Sequence, residues 1–163
     1  MTSILRLSVV VAWCLAWASP AFAQQAVVVV RHAEKVDQSK DPHLSDAGQA
    51  RARALAALLA QSGPAAIYAT EYQRTGETAK PLADLLGLSI QRVPASDTGG
   101  LVGRLKARHG QDVVVVVGHS NTVPEIVKAY GGSIPAIGDD DFGNVFVVVP
   151  RPGGQAVVLR LRY

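Results

Sequence analysis

Only one cysteine occurs in the chain, Cys14, and it stands inside an apolar N-terminal stretch. A disulfide framework is therefore excluded, and the fold must be held together by its core. Aromatic residues make up only 6%, too few to interleave with basic side chains as a nucleic-acid surface requires. The formal charge is only +3, so no field of one sign dominates and nucleic acid is not an expected partner. Internal repeats, linkers and low-complexity segments are also missing, which leaves one domain as the reading of the 163 residues.

Long apolar runs are missing too. The longest, Leu7 to Ala18, falls short of the ~20 residues that span a bilayer. It follows Arg6 and precedes Pro20-Ala21-Phe22-Ala23-Gln24, a small-residue site of Ala-x-Ala form. These are the marks of a secretory signal peptide cleaved after Ala23. The expected division is a signal peptide over residues 1–23 and one domain over residues 24–163. The expected location is periplasmic or secreted, without a stable membrane anchor. Cleavage would remove Cys14 and Arg6 together, lowering the charge by one, to +2.

What the chain does have is valine in blocks. Val27 to Val30 and Val113 to Val117 are β-branched runs too short for buried helices, and they read as central strands covered on both faces. Each delivers a histidine at its carboxyl end, His32 after Arg31 and His119 after Gly118. Ligands of open α/β sheets bind beyond the strand C-termini, and an arginine beside a histidine there suggests an anion site. A third strand, Ala66 to Ala69, runs into Thr70-Glu71-Tyr72-Gln73, a capping-box pattern with Thr70 as N-cap. The helix that follows carries Arg74 in its first turn, where the macrodipole disfavours a cation unless an anion is near.

Between these blocks, Ser45 should cap a helix reaching about Gln61, with Ala50, Ala54, Leu55, Leu58 and Leu59 inward and Arg51 and Arg53 in solvent. Ser89 to Val93 reads as a strand and Leu101 to His109 as a short helix with His109 on the surface. Thr122 to Glu125 reads as a second capping box. Val145 to Val149 and Ala156 to Leu161 read as an antiparallel hairpin. The expected fold is an α/β, three-layer α/β/α sandwich with a mainly parallel central sheet and that hairpin at its C-terminal end.

Arg31-His32, Arg74 and Gly118-His119, in this order and each at a strand end, resemble the histidine phosphatase superfamily, the phosphoglycerate-mutase-like proteins. The likeness runs from Ala26 to about Gly131 and includes Leu44 to Ala52. It implies a phosphatase hydrolysing phosphate monoesters through phosphohistidine. His32 would be the nucleophile and Arg31 and Arg74 the phosphate clamp. His119 would bind and stabilise the phosphoryl group, Ser120 would lie at its rim, and neither metal nor cofactor would be required. The nucleophile needs a free lone pair, so His32 must be neutral, with its other ring nitrogen donating to a backbone carbonyl.

The compact length resembles the small phosphohistidine-phosphatase branch. The secreted Arg-His-Ala-Glu pattern also resembles lipopolysaccharide heptose phosphatases, which makes an envelope phosphosugar the alternative to other phosphorylated small molecules. A non-catalytic anion-binding module is the reading from another class, but it would not need His32. No oligomeric state follows from the sequence.

The departures concern the acid. Aspartate follows the second histidine in acid phosphatases of the superfamily, where this chain has Ser120. Asp97 and Glu34 are the candidates for general acid, since capping or first-turn roles account for Glu71 and Glu125.

Overall fold

The computed structural model describes residues 25–163, and the signal-peptide expectation lies outside them. Ten elements alternate along the chain: β1 (Ala26–Arg31), α1 (Asp46–Leu59), β2 (Ala66–Thr70), α2 (Gln73–Leu86), β3 (Ile90–Val93), α3 (Thr98–Arg108), β4 (Val113–Gly118), α4 (Thr122–Ala129), β5 (Asn144–Pro150) and β6 (Ala156–Arg162). The strands form one sheet in the order β3-β2-β4-β1-β5-β6. The first four are parallel, while β5 joins β1 antiparallel and turns back into β6. The expected α/β class and its C-terminal hairpin are both present.

The valine blocks lie at the centre because both of their faces are covered. Val27, Val29, Val114 and Val116 pack with Leu101, Leu105, Ile126 and Val127 of α3 and α4. Val28, Val30, Val115 and Val117 pack on the other face with Leu55, Leu59 and Leu82 of α1 and α2. All eight valines are buried. Complete burial of a valine side chain contributes ~1.5–3 kcal/mol, so these eight side chains hold the pair of strands at the centre of the sheet. A slip of one residue would move each side chain to the opposite layer.

Three local expectations change. In α1 the inward face is Gly48, Ala52, Leu55, Ala56 and Leu59, while Ala50 and Ala54 are exposed and Leu58 is 44% exposed. An alanine-rich helix carries little contrast between neighbouring faces. Thr70 is no helix cap: β2 extends to it, paired with Val93, and α2 starts after Tyr72. The first amide of α2 is satisfied from a distance, Gln73 N–H donating to Asp41 Oδ1 at 2.9 Å. Thr122 likewise lies inside α4, with Asn121 before it, and its hydroxyl accepts from His119 N–H at 2.8 Å.

Helix α1 presses on the loop after β1 through Gly48, where an added Cβ would lie 2.2 Å from the Glu34 carbonyl oxygen. Gly103 of α3 has nothing within 4 Å of that position. Gly→Ala in a helix gains ~1 kcal/mol of propensity, whereas overpacking costs ~1–3 kcal/mol. Gly103→Ala is therefore expected to raise Tm and Gly48→Ala to lower it, as read by thermal denaturation of the two variants.

Candidate active site

Parallel pairing of β1 with β4 sets Arg31 opposite Gly118, and His32 N–H continues the ladder by donating to Gly118 O at 2.9 Å. The two histidines that follow these strands therefore meet, with ring centroids 5.3 Å apart at 64°. Arg31, His32, Arg74, His119, Ser120 and Asp139 line one cavity of about 350 Å³ at the C-terminal edge of the parallel strands. The structure thus brings together all five residues expected at the phosphate. A larger groove of about 480 Å³ lies between α1 and α2, with Arg53, Lys80 and Asp84 among its residues. It contains none of the paired histidines, and its size does not make it the chemical site.

His32 Nδ1 lies 2.8 Å from Ala33 O. A carbonyl only accepts, so Nδ1 carries the proton and Nε2 keeps its lone pair. Ala33 N–H in turn donates to Thr78 Oγ1 at 3.0 Å, fixing the turn that holds the ring.

The arginines are held rigidly from behind. Arg31 Nη1 donates to Gly138 O at 2.5 Å and to Asp139 O at 2.8 Å, and its guanidinium stacks 4.2 Å over Phe142. Arg74 stacks 4.3 Å over Tyr72 and faces Asp41 at 3.6 Å, not Glu71 or Glu77. The Nε of each arginine is buried without a hydrogen-bond partner. Two orphaned cationic donors in one site suit a polyanionic ligand.

His119 Nε2 lies 2.8 Å from Thr70 Oγ1, which lies 3.0 Å from Thr75 Oγ1. The single Thr75 proton has Tyr72 O at 2.7 Å. Thr70 then either donates to Thr75 and accepts from His119 Nε2–H, or donates to Nε2 and leaves the ring proton on Nδ1. One hydroxyl rotor thereby allows His119 to present an Nδ1–H to a ligand whether the ring is charged or neutral.

Both histidines are pushed below their ordinary value of 6.5. His32 falls to about 3, mainly through burial and then through the charges of His119, Arg31 and Arg74. His119 falls to about 4, again chiefly through burial, with Arg74 the leading charge and Glu71 opposing it. Burial lowers the Arg31 value also, against the pull of Asp139.

The two expected acids are engaged elsewhere. Glu34 accepts Arg51 Nε at 2.8 Å on both oxygens and Arg51 Nη2 at 2.6 Å, which holds its carboxyl below the usual range. Arg51, expected in solvent, is the clamp on Glu34 and also donates to Tyr163 O at 3.1 Å. Asp97 is the N-cap of α3, accepting Gly100 N–H at 2.9 Å. His109, expected on the surface, instead bridges Tyr68 OH at 3.1 Å and Asp112 at 2.8 Å.

Sequence reasoning passed over Tyr72, Phe142, Asp139 and Thr70. Tyr72 and Phe142 are rings two positions from Arg74 and at the end of an acidic loop, and pairing scarce aromatics with the clamp arginines would have pointed to them. Tyr72 also meets the His119 ring edge-on at 5.2 Å.

A sequence model of the histidine phosphatase superfamily (branch 1) matches residues 27–95. The solved structure of the protein histidine phosphatase SixA with tungstate is similar at TM-score 0.70 and 20% identity, covering 84% of this chain and 96% of that one. A mycobacterial glucosyl-3-phosphoglycerate phosphatase is similar at TM-score 0.67 and 16% identity, covering 85% and 97%. An Escherichia coli protein proposed to be an alpha-ribazole-5'-P phosphatase gives 0.68 and 14%, covering 86% and 97%. At these identities the likeness to the three structures is one of fold. No curated protein sequence matches this chain.

The depressed histidines set a pH dependence. An unfolded chain takes up protons near 6.5, and the fold refuses them until about 4 and about 3. Their stabilising contribution is therefore complete above pH 6.5 and is lost progressively as pH falls toward 3. His43, exposed and paired with Glu77, is pushed up and acts in the opposite sense, weakly because solvent screens it. Denaturation midpoints should fall between pH 6.5 and 4, and His119→Asn should flatten that fall. An unchanged slope in the variant would show that His119 titrates normally.

Proposed function

We propose that the chain, whose residues 27–95 match a model of the histidine phosphatase superfamily (branch 1), is a member of that superfamily and a phosphomonoesterase that works through a phosphohistidine on His32. One observation carries this reading: His32, whose Nε2 keeps its lone pair, lines one cavity with Arg31 and Arg74, each of which has a buried Nε–H without a partner. Phosphoryl transfer asks a protein chiefly for positioning and for charge around the peripheral oxygens. Arg31 and Arg74 supply forked donors on stacked, immobile guanidinium groups. His32 Nε2 attacks phosphorus, the bond to the leaving oxygen breaks, and the positive charge formed on the ring is neutralised by the phosphoryl group it now carries. Water then attacks phosphorus, the P–N bond breaks, and its electrons return to Nε2.

His119 donates to a phosphoryl oxygen in both steps, and Ser120 stands at the rim. The low value of His32 keeps the nucleophile neutral, and therefore competent, throughout the neutral range.

The proposed substrate is a phosphorylated small molecule with a hydroxyl-rich leaving group, of which an envelope phosphosugar is one kind. A second cavity of about 350 Å³, polar and sharing Arg31 and Lys35 with the first, supports this. The proposed place of action is the periplasm or the exterior, reached through cleavage after Ala23. Residue Gln24 at the N-terminus of the exported protein is the result expected from N-terminal sequencing.

Brief mixing with labelled substrate and an alkaline quench should trap base-stable, acid-labile label, absent in His32→Ala. Label that persists in that variant, or that survives acid, would falsify His32 as the nucleophile. Arg74→Lys keeps the charge but loses the fork and the stack on Tyr72, so kcat/KM should drop ~10- to 1000-fold, the range of one lost transition-state contact. Wild-type kcat/KM in that variant would remove Arg74 from the phosphate.

A further inference from the structure

We propose that Asp139 is the general acid of this site, giving its proton to the leaving oxygen as the ester bond breaks; this rests on the phosphohistidine reading above. Position makes the first case. Asp139 lines the His32 cavity and also the polar cavity next to it, with Glu34, Gln38 and Phe142. An ester whose phosphate lies on His32 and whose alcohol occupies the second cavity must carry its bridging oxygen past the neck that Asp139 shares with Arg31 and Lys35. The residue cannot drift from that neck, because its carbonyl is held by Arg31 Nη1 at 2.8 Å.

Elimination makes the second. Asp139 is the one carboxylate among the residues lining the phosphate cavity, and its side chain accepts no hydrogen bond and forms no ion pair among the described residues. The other carboxylates near the site are occupied, Asp140 excepted. Glu34 is clamped by Arg51, Glu71 accepts Ala95 N–H at 2.7 Å, and Glu77 accepts Leu44 N–H at 2.8 Å. Asp41 accepts Gln73 N–H, Asp97 caps α3, and Asp141 pairs with Arg162 at 2.8 Å. Asp140 lines the second cavity only.

Charge makes the third. A phosphate dianion entering beside Asp139 favours the protonated carboxyl. It also meets the Arg31 guanidinium, whose charge it offsets. Substrate thus loads the acid with its proton. As His32 Nε2 attacks phosphorus, the P–O electrons pass to the leaving oxygen, which takes that proton and departs as the alcohol. Asp139, now a carboxylate, next removes a proton from the water that attacks phosphohistidine, so the acid is restored as phosphate forms.

The test is a leaving-group series. kcat/KM ends with departure of the alcohol, so hydrolysis of phosphohistidine does not enter it. Wild type and Asp139→Asn are compared on nitrophenyl, phenyl and glycerol phosphates, and the trapped label on His32 is followed in both. An acid contributes ~100- to 10,000-fold where the leaving group is poor. Asp139→Asn should therefore lose at least ~100-fold on glycerol phosphate, keep nitrophenyl phosphate within ~3-fold, and steepen the dependence on phenol acidity. The basic limb of its pH profile on glycerol phosphate should vanish.

Equal losses on all three esters, or a glycerol phosphate rate within ~3-fold of wild type, would overturn the assignment while leaving His32 in place. Failure of wild type itself to form the acid-labile label would overturn the underlying phosphohistidine reading. The nitrophenyl phosphate rate also serves as the check on folding.

Discussion

Register between β1 and β4 is the constraint on which the site depends. Two valine strands, each buried on both faces, pair in parallel from Ala26 opposite Val113 to Arg31 opposite Gly118, and a slip of one residue would turn every side chain into the other layer. That pairing sets Arg31 against Gly118 and so places His32 and His119 ring to ring. The hydrophobic effect does not recognise phosphate, yet it fixes the distance between the two imidazoles. Only after that register is set do hydrogen bonds to Ala33 O and Thr70 Oγ1 choose the nitrogens that face a ligand.

Cations in the pocket are held from behind by groups that cost little desolvation. Carbonyl oxygens and ring faces carry no full charge, so Arg31 keeps its charge for an incoming anion, while Arg74 combines its stack on Tyr72 with a loose pairing to Asp41 at 3.6 Å. The close ion pairs lie elsewhere, as with Glu34 on Arg51 at 2.6 Å and Asp141 on Arg162 at 2.8 Å. Charge pairing in this protein builds the walls, and uncancelled charge is kept for the floor. The fold alone does not choose the ester: its structural neighbours carry names for three different substrates.

The parts legible in the sequence were those governed by local pattern. Valine blocks and the Ser45 cap follow from side-chain branching and backbone preference, and β1, β4, α1 and α2 formed near the expected places. Less legible were roles that depend on partners distant in the chain. Thr70 has the spacing of a helix cap, yet its hydroxyl turns toward His119, 49 positions away. Glu34 looked available because nothing adjacent claims it, and Arg51 does from 17 positions on; Asp97 was missed for a local reason, since α3 begins at Thr98, ahead of the expected Leu101, and takes Asp97 as its cap. Asp139 lay in a loop that matched no pattern and reaches Arg31 across 108 positions.

That last kind of separation has a kinetic consequence. Each group in the pocket stands on a segment whose neighbours in space are remote in sequence, β1 pairing with both β4 and β5. Chains dominated by such non-local pairings fold slowly, because loop entropy is lost before the contacts repay it. No early hairpin or helix pair contains even half of the anion site. During refolding the ability to hold phosphate should therefore appear with the closing of the last strand into the sheet, and a nascent chain still lacking β5 would have the loop that braces Arg31 without the strand that anchors its far end.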